Sequence, residues 1–203
     1  MKKLDGIKAI IFDLGGVILN IDYQRTVDEF EKLGVPHFGE IFSQFKQSTF
    51  TDDFEIGRIS ENDFYETVKA KTEVDFSFSE FRAAWNAMLL DLPPQRIEIL
   101  KKLSEQYRLF LFSNTNETHY KKFVTKVESD FDILFEKTYY SHQFGLRKPD
   151  KFAFQTLLER NNLVAEETLF IDDSYQHIES ANSLGIRTLL IQEKPFFELL
   201  DLK

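Results

Sequence analysis

Six residues scattered along this chain of 203 carry groups that could act together: Asp13, Ser113, Asn114, Lys148, Asp172 and Asp173. Asp13 closes an apolar run in "IFDLGGVI", and a carboxylate at the end of a buried run is costly unless something balances its charge. Asp172 and Asp173 follow the apolar "TLFI" as adjacent acids, which repel one another without a cation. Three carboxylates are the oxygen donors that hard Mg²⁺ prefers, and Mg²⁺ typically bridges onward to substrate phosphate. The Ser113 hydroxyl, main-chain N–H groups and the Lys148 ammonium suit phosphoryl oxygens whose charge spreads during transfer. A carboxylate beside such a metal can itself attack phosphorus, giving an aspartyl-phosphate that water later hydrolyses.

These residues converge only if particular elements carry them. Apolar runs at 8–14, 108–114, 168–173 and 187–192 read as buried strands of a parallel sheet. Helical patterns at 94–106, 116–128, 150–162 and 174–185 alternate with the later strands, with Pro94 suited to a first helical turn and Gly185 to a C-cap. Alternation of this kind predicts an α/β fold with a doubly wound parallel sheet, in which ligands bind outside the carboxyl ends of the strands. Asp13, Ser113, Asn114 and the Asp172–Asp173 pair stand at those ends, and Lys148 in "GLRKPD" just precedes a helix.

Between the first strand and Pro94 the period changes. The windows at 23–34, 38–47, 60–71 and 79–90 fit amphipathic helices, and Ser60 with Asp63 resembles a capping box. Residues 19–91 are therefore expected to form an all-helical insert, with 1–18 and 92–203 making up the α/β domain.

A net charge of −9 offers no basic stripe to a nucleic acid or an anionic membrane. With no cysteine there is no disulfide framework or thiolate site, so a reducing compartment is permitted. Lys2 and Lys3 precede an apolar stretch that Asp13 interrupts, with no small-residue cleavage site after it, and no run reaches the roughly 20 apolar residues of a membrane span. A cytoplasmic protein is the expectation, as a monomer or homodimer. The 22 phenylalanines carry no functional meaning by themselves.

Taken in order, "FDLGGV", "LFSN", "RKPD" and "FIDDSYQHIESANSLG" resemble the four motifs of the haloacid dehalogenase-like (HAD) hydrolase superfamily, with the helical insert where that family places a mobile cap. The resemblance covers the whole chain and implies a Rossmann-like core. It makes Asp13 the nucleophile, has Ser113 and Asn114 contact the phosphoryl group and Lys148 stabilise it, and has Asp172 coordinate Mg²⁺ with Asp173 in support. The substrate implied is a small-molecule phosphate ester. Metal-independent 2-haloacid dehalogenase, sugar phosphomutase and a degenerate phosphometabolite-binding protein are the alternatives, and the acidic pair weighs against the first of them.

Gly15 departs from the family's phosphatase pattern. A second Asp usually stands there, its main-chain carbonyl on the metal and its carboxylate acting as general acid and base, so here the carbonyl survives and the carboxylate does not. "FDLGGVILNIDYQR" and "SNTNETH" are similar to bacterial α-D-glucose-1-phosphate phosphatases, which share this glycine. An anomeric hydroxyl is a better leaving group than an ordinary alcohol and leans less on an acid.

Four lesser candidates complete the reading. Asp22 reads most plainly as the N-cap of the following helix, and otherwise as a substitute acid or a ligand for substrate hydroxyls, and Arg25 as a sugar or phosphate ligand or a solvent-facing side chain. His119, near the predicted pocket, is expected to take a packing or surface role rather than bind a metal, and His177 to contact Asp172 or Lys148 or to cap its helix. The tail "KPFFELLDL" reads as core packing or a dimer contact.

Overall fold

The computed structural model describes residues 4–46, 48–126, 131–192 and 194–199. Five parallel strands form the centre: β1 (Ala9–Phe12), β2 (Arg108–Ser113), β3 (Lys137–Tyr140), β4 (Thr168–Asp172) and β5 (Arg187–Leu190), in the order β3-β2-β1-β4-β5. Chain reversal on either side of β1 makes its carboxyl end a topological switch point, where open α/β sheets bind ligands. Register sharpens this: Phe12 pairs with Leu111 and Ile171, and the Asp13 N–H donates to the Ile171 carbonyl at 2.8 Å. Asp13 and Asp172 therefore end side by side on neighbouring strands.

Alternate residues of the strands feed two cores. Ile10, Phe12, Leu109, Leu111, Leu169 and Ile171 pack on one face, and Ile11, Phe110, Phe112 and Phe170 on the other. Burial on both faces explains why these strands read as unbroken apolar runs. β3 gave no such signal: it is an edge strand of sequence KTYY that begins on exposed Lys137. The helices α6 (Pro94–Ser104), α7 (Glu117–Val124), α8 (Ser141–Phe144), α9 (Lys151–Arg160), α10 (Tyr175–Asn182) and α11 (Phe196–Leu199) accompany the sheet. Pro94 opens α6, as expected, and Gly185 takes φ +81° between α10 and β5. Phe196 and Phe197 are buried, Phe196 edge-on to Phe12 at 5.2 Å, so these tail residues pack into the core; Glu193 and 200–203 lie outside the described residues.

Five helices lie between β1 and α6: α1 (Tyr23–Lys32), α2 (Phe38–Lys46), α3 (Thr49–Glu55), α4 (Glu61–Thr72) and α5 (Phe78–Trp85), the last continued by a 3₁₀ turn at Asn86–Met88. α3 has no counterpart among the sequence windows, being only seven residues long. These helices close around their own core, which takes up seven of the phenylalanines, among them Phe30 stacked on Phe38 at 4.0 Å and Phe54 on Phe64 at 4.2 Å. Ser60 and Asp63 form the capping box of α4, and Ser77 with Glu80 does the same for α5. The chain passes in and out of this region along two antiparallel crossings, Asn20 N–H to the Asp91 carbonyl, Asp22 N–H to Met88 and Leu90 N–H to Asn20, each at 3.0 Å.

Helical region and sheet domain also meet at Gly57, which takes φ +74° and whose added Cβ would stand 2.3 Å from the His142 carbonyl oxygen. Both the backbone conformation and the close approach demand glycine. Gly57→Ala is expected to cost about 1–3 kcal/mol, measured by urea unfolding; an unchanged midpoint would contradict the packing described.

Candidate active site

Lys148 is the centre of the site. Its side chain is wholly buried, and Nζ donates to Asp13 Oδ1 at 2.7 Å and to Asp172 Oδ2 at 2.6 Å. The rings of Phe112 and Phe170 flank it, each centroid 5.4 Å away. Asn114 holds the main chain of Lys148 with both ends of its amide, accepting from the N–H at 2.9 Å and donating to the carbonyl at 2.8 Å. The Asn114 side chain thus positions the lysine.

Asp172 is fully buried at the end of β4. Its Oδ1 accepts from the Ser174 N–H at 2.8 Å and lies 2.9 Å from His177 Nδ1, so His177 contacts this acid from α10. Burial alone would raise the Asp172 carboxyl, but Lys148 and His177 hold it well down, at about 2. Burial raises Asp13 to about 7 against the pull of Lys148, with the Asp172 charge adding to the rise. The Lys148 ammonium is pushed down by burial and more than recovered by Asp13 and Asp172, ending above its ordinary value. Asp173 is raised by burial and by the neighbouring Asp172 charge.

One lysine does not balance three acids. Asp13, Asp172 and Asp173 each offer a carboxylate oxygen, all within 4.8 Å of one another, the metal-capable cluster found among the described residues. The donors are all hard oxygens with a net negative charge, which fits Mg²⁺ and not a soft or nitrogen-seeking metal.

The two glycines after Asp13 have different reasons to be there. Gly16 takes φ +75°, and a Cβ on it would lie 2.1 Å from Asp173 Oδ2. The turn therefore brings the backbone against a metal-capable acid, a tighter requirement than room to leave the strand. At Gly15 a Cβ would lie 2.5 Å from Ile21 Cδ1, so an isoleucine side chain stands where a longer residue would begin.

A cavity of about 120 Å³ opens beside Gly15, Ser113 and Asn114, walled by Leu14, Thr115 and Asn116 on the sheet side and by residues of the helical region. Tyr23, Thr51 and Glu55 supply polar groups to it, and Phe42, Trp85 and Met88 apolar ones. His119 also lines it, yet is a packing residue: its ring stacks on Trp85 at 5.7 Å, Nε2 lies 3.0 Å from the Trp85 carbonyl and Nδ1 3.1 Å from the Asn116 amide. Burial pushes its imidazole down to about 4, so it is neutral at physiological pH. Asp22 caps α1 by accepting from the Gln24 N–H at 3.0 Å, and exposed Arg25 pairs with it at 3.6 Å. Tyr23, Glu55 and Arg147 were not singled out in the sequence. The one local hint was the position of Arg147 directly before Lys148.

The sequence matches the haloacid dehalogenase-like hydrolases over residues 10–191, and the chain belongs to this family. It is similar to D-ribitol-5-phosphate phosphatase of Bacteroides thetaiotaomicron, 27% identical over 187 residues that make up 90% of each chain. Among solved structures, a HAD family enzyme of the same organism in magnesium complex superposes with a TM-score of 0.88 at 32% identity, covering 98% of this chain and 100% of that one. Its wild-type complex with magnesium and inorganic phosphate gives 0.85 at 32% identity, covering 95% and 98%.

Gly16→Ala is expected to displace Asp173 and weaken Mg²⁺ binding about 10- to 100-fold, read by calorimetric titration; an unaltered Kd would mean that Asp173 does not belong to the metal site.

Proposed function

We propose that the protein is a Mg²⁺-dependent phosphatase that hydrolyses a small sugar or polyol phosphate through an aspartyl-phosphate on Asp13. The observation that carries this reading is the buried Lys148 ammonium bonded to both Asp13 and Asp172, while the chain neighbours of Asp13 and the Ser113–Asn114 pair at the end of β2 line a cavity. In the first step an Asp13 carboxylate oxygen bonds to phosphorus as the bond from phosphorus to the ester oxygen breaks, and the released oxygen takes up a proton. Water then attacks the same phosphorus, giving inorganic phosphate and restoring the Asp13 carboxylate. Lys148 holds one Asp13 oxygen in place and, with the Ser113 hydroxyl, balances charge on the phosphoryl oxygens. Mg²⁺, held by Asp13, Asp172, Asp173 and the Gly15 carbonyl, would polarise the phosphoryl group and offset the surplus negative charge.

Residues 19–91 form the cap in this reading, over a core of 1–18 and 92–203. The cavity shared by the two supports a small substrate, and a lid that closes on it keeps water from the site. Gly15 supplies no acid to the leaving oxygen, which favours a hexose 1-phosphate, whose anomeric hydroxyl departs readily. The relative that acts on D-ribitol 5-phosphate favours an open-chain polyol ester.

Phosphate release from hexose 1- and 6-phosphates, pentitol 5-phosphates and nucleoside monophosphates, with Mg²⁺ or with EDTA, tests the proposal. Turnover of the sugar or polyol esters should fall by at least about 10³-fold in EDTA and in Asp13→Asn. Activity that survives either change, or flat low activity across the panel, would sink it.

A further inference from the structure

Arg147 and Lys148 are consecutive, yet their side chains bind different groups of acids. Lys148 binds the acids at the strand ends. Arg147 reaches α3: its Nη1 lies 2.6 Å from Asp52 Oδ1, and its Nε and Nη2 each lie 2.9 Å from Glu55 Oε2. Two carboxylates one helical turn apart share a single guanidinium, leaving the triad with a net charge of −1. Because the main chain of Lys148 is tied to Asn114, the same short segment fixes both the lysine and, through Arg147, the Glu55 carboxylate.

Glu55, the last residue of α3, lines the cavity together with Tyr23 and Thr51 and with Phe42, Trp85 and Met88. Its side chain is 21% exposed. A carboxylate accepts hydrogen bonds and donates none, so the groups it welcomes are hydroxyls. An apolar chain laid against it would desolvate the charge without pairing it. A second phosphate or a carboxylate would meet the negative charge of the triad. The apolar walls suit the C–H faces of a carbon skeleton whose hydroxyls point at Glu55.

On the phosphatase reading, we infer that Glu55, held by Arg147, is the specificity-determining residue: it accepts hydroxyls of the ester's carbon skeleton and so selects polyhydroxylated, uncharged leaving groups over apolar or anionic ones. Arg147 is a positioning residue in this scheme. It contacts no substrate and sets the angle at which Glu55 presents its oxygens.

The test is a comparison of kcat/KM for a pentitol 5-phosphate, a hexose 1-phosphate, p-nitrophenyl phosphate and 2-phosphoglycolate, with Mg²⁺, in wild type, Glu55→Gln and Glu55→Leu. Glu55→Leu should lower the ratio of polyol or sugar ester to p-nitrophenyl phosphate by about 10- to 100-fold, chiefly through KM. Glu55→Gln keeps an acceptor oxygen of the same shape and should lower that ratio less than Leu does. Both variants should raise 2-phosphoglycolate relative to p-nitrophenyl phosphate. Should Glu55→Leu fail to fold, Glu55→Gln carries the comparison. Ratios unchanged within twofold in the folded variants would overturn the assignment. Wild type that hydrolyses p-nitrophenyl phosphate but no polyol or sugar ester would overturn it while leaving the phosphatase standing, whereas wild type inert toward all four would overturn both.

Discussion

An ammonium group sealed from solvent can persist only where carboxylates surround it, and those carboxylates can stay charged only where something positive meets them. Lys148 between Asp13 and Asp172 is that mutual dependence in its smallest form. Much of the architecture serves it. β1 lies beside β4 so that two acids end level, and the Asn114 amide clamps the lysine's main chain. Phe112 and Phe170 wall off water, which strengthens each electrostatic contact inside. The balance is incomplete by design of the residues themselves: with Asp173 nearby the acids outnumber the lysine, and burial drives Asp13 upward. A divalent cation held by these acids would complete the charge set and favour the ionised form of Asp13.

The helical region is joined to the core by polar contacts. Arg147 grips α3, His119 of α7 accepts the face of Trp85, and Glu61 at the start of α4 is buried between Arg82 and Lys121 of α7. Glu61 is held below its ordinary value by Arg82 and Lys121 against the cost of burial. Polar junctions of this kind exchange protein partners for water at modest cost, unlike a wide apolar seam. The same junction holds Glu55 in the wall of the cavity.

Much of the chemistry was legible in the sequence because buried parallel strands announce themselves as apolar runs, and topology then sends their carboxyl ends to one edge. Asp13, Ser113, Asp172 and Asp173 follow from that rule, and Lys148 from the helix start beside it. β3 escaped because an edge strand of the form "KTYY" carries no such run. The Arg147–Glu55 contact escaped for a different reason: it joins residues 92 positions apart, and nothing local marks either as a partner of the other. The constraint on Gly16 has no local sequence signal either, because it is set by Asp173, far along the chain. Asn114, expected at a phosphoryl group, spends its amide on Lys148, and Asp22 took the plainer of its two readings as a cap.

The central claim is that Lys148 and the acids at the strand ends form one phosphoryl-transfer site around Asp13. A crystal structure of the protein with Mg²⁺ and beryllium fluoride tests it most directly. The expected result is a fluoroberyllate on an Asp13 carboxylate oxygen, Mg²⁺ against Asp13 and Asp172, and Lys148 Nζ within hydrogen-bonding distance of a fluorine. Metal bound without beryllium on Asp13, or beryllium carried by another residue, would contradict the account.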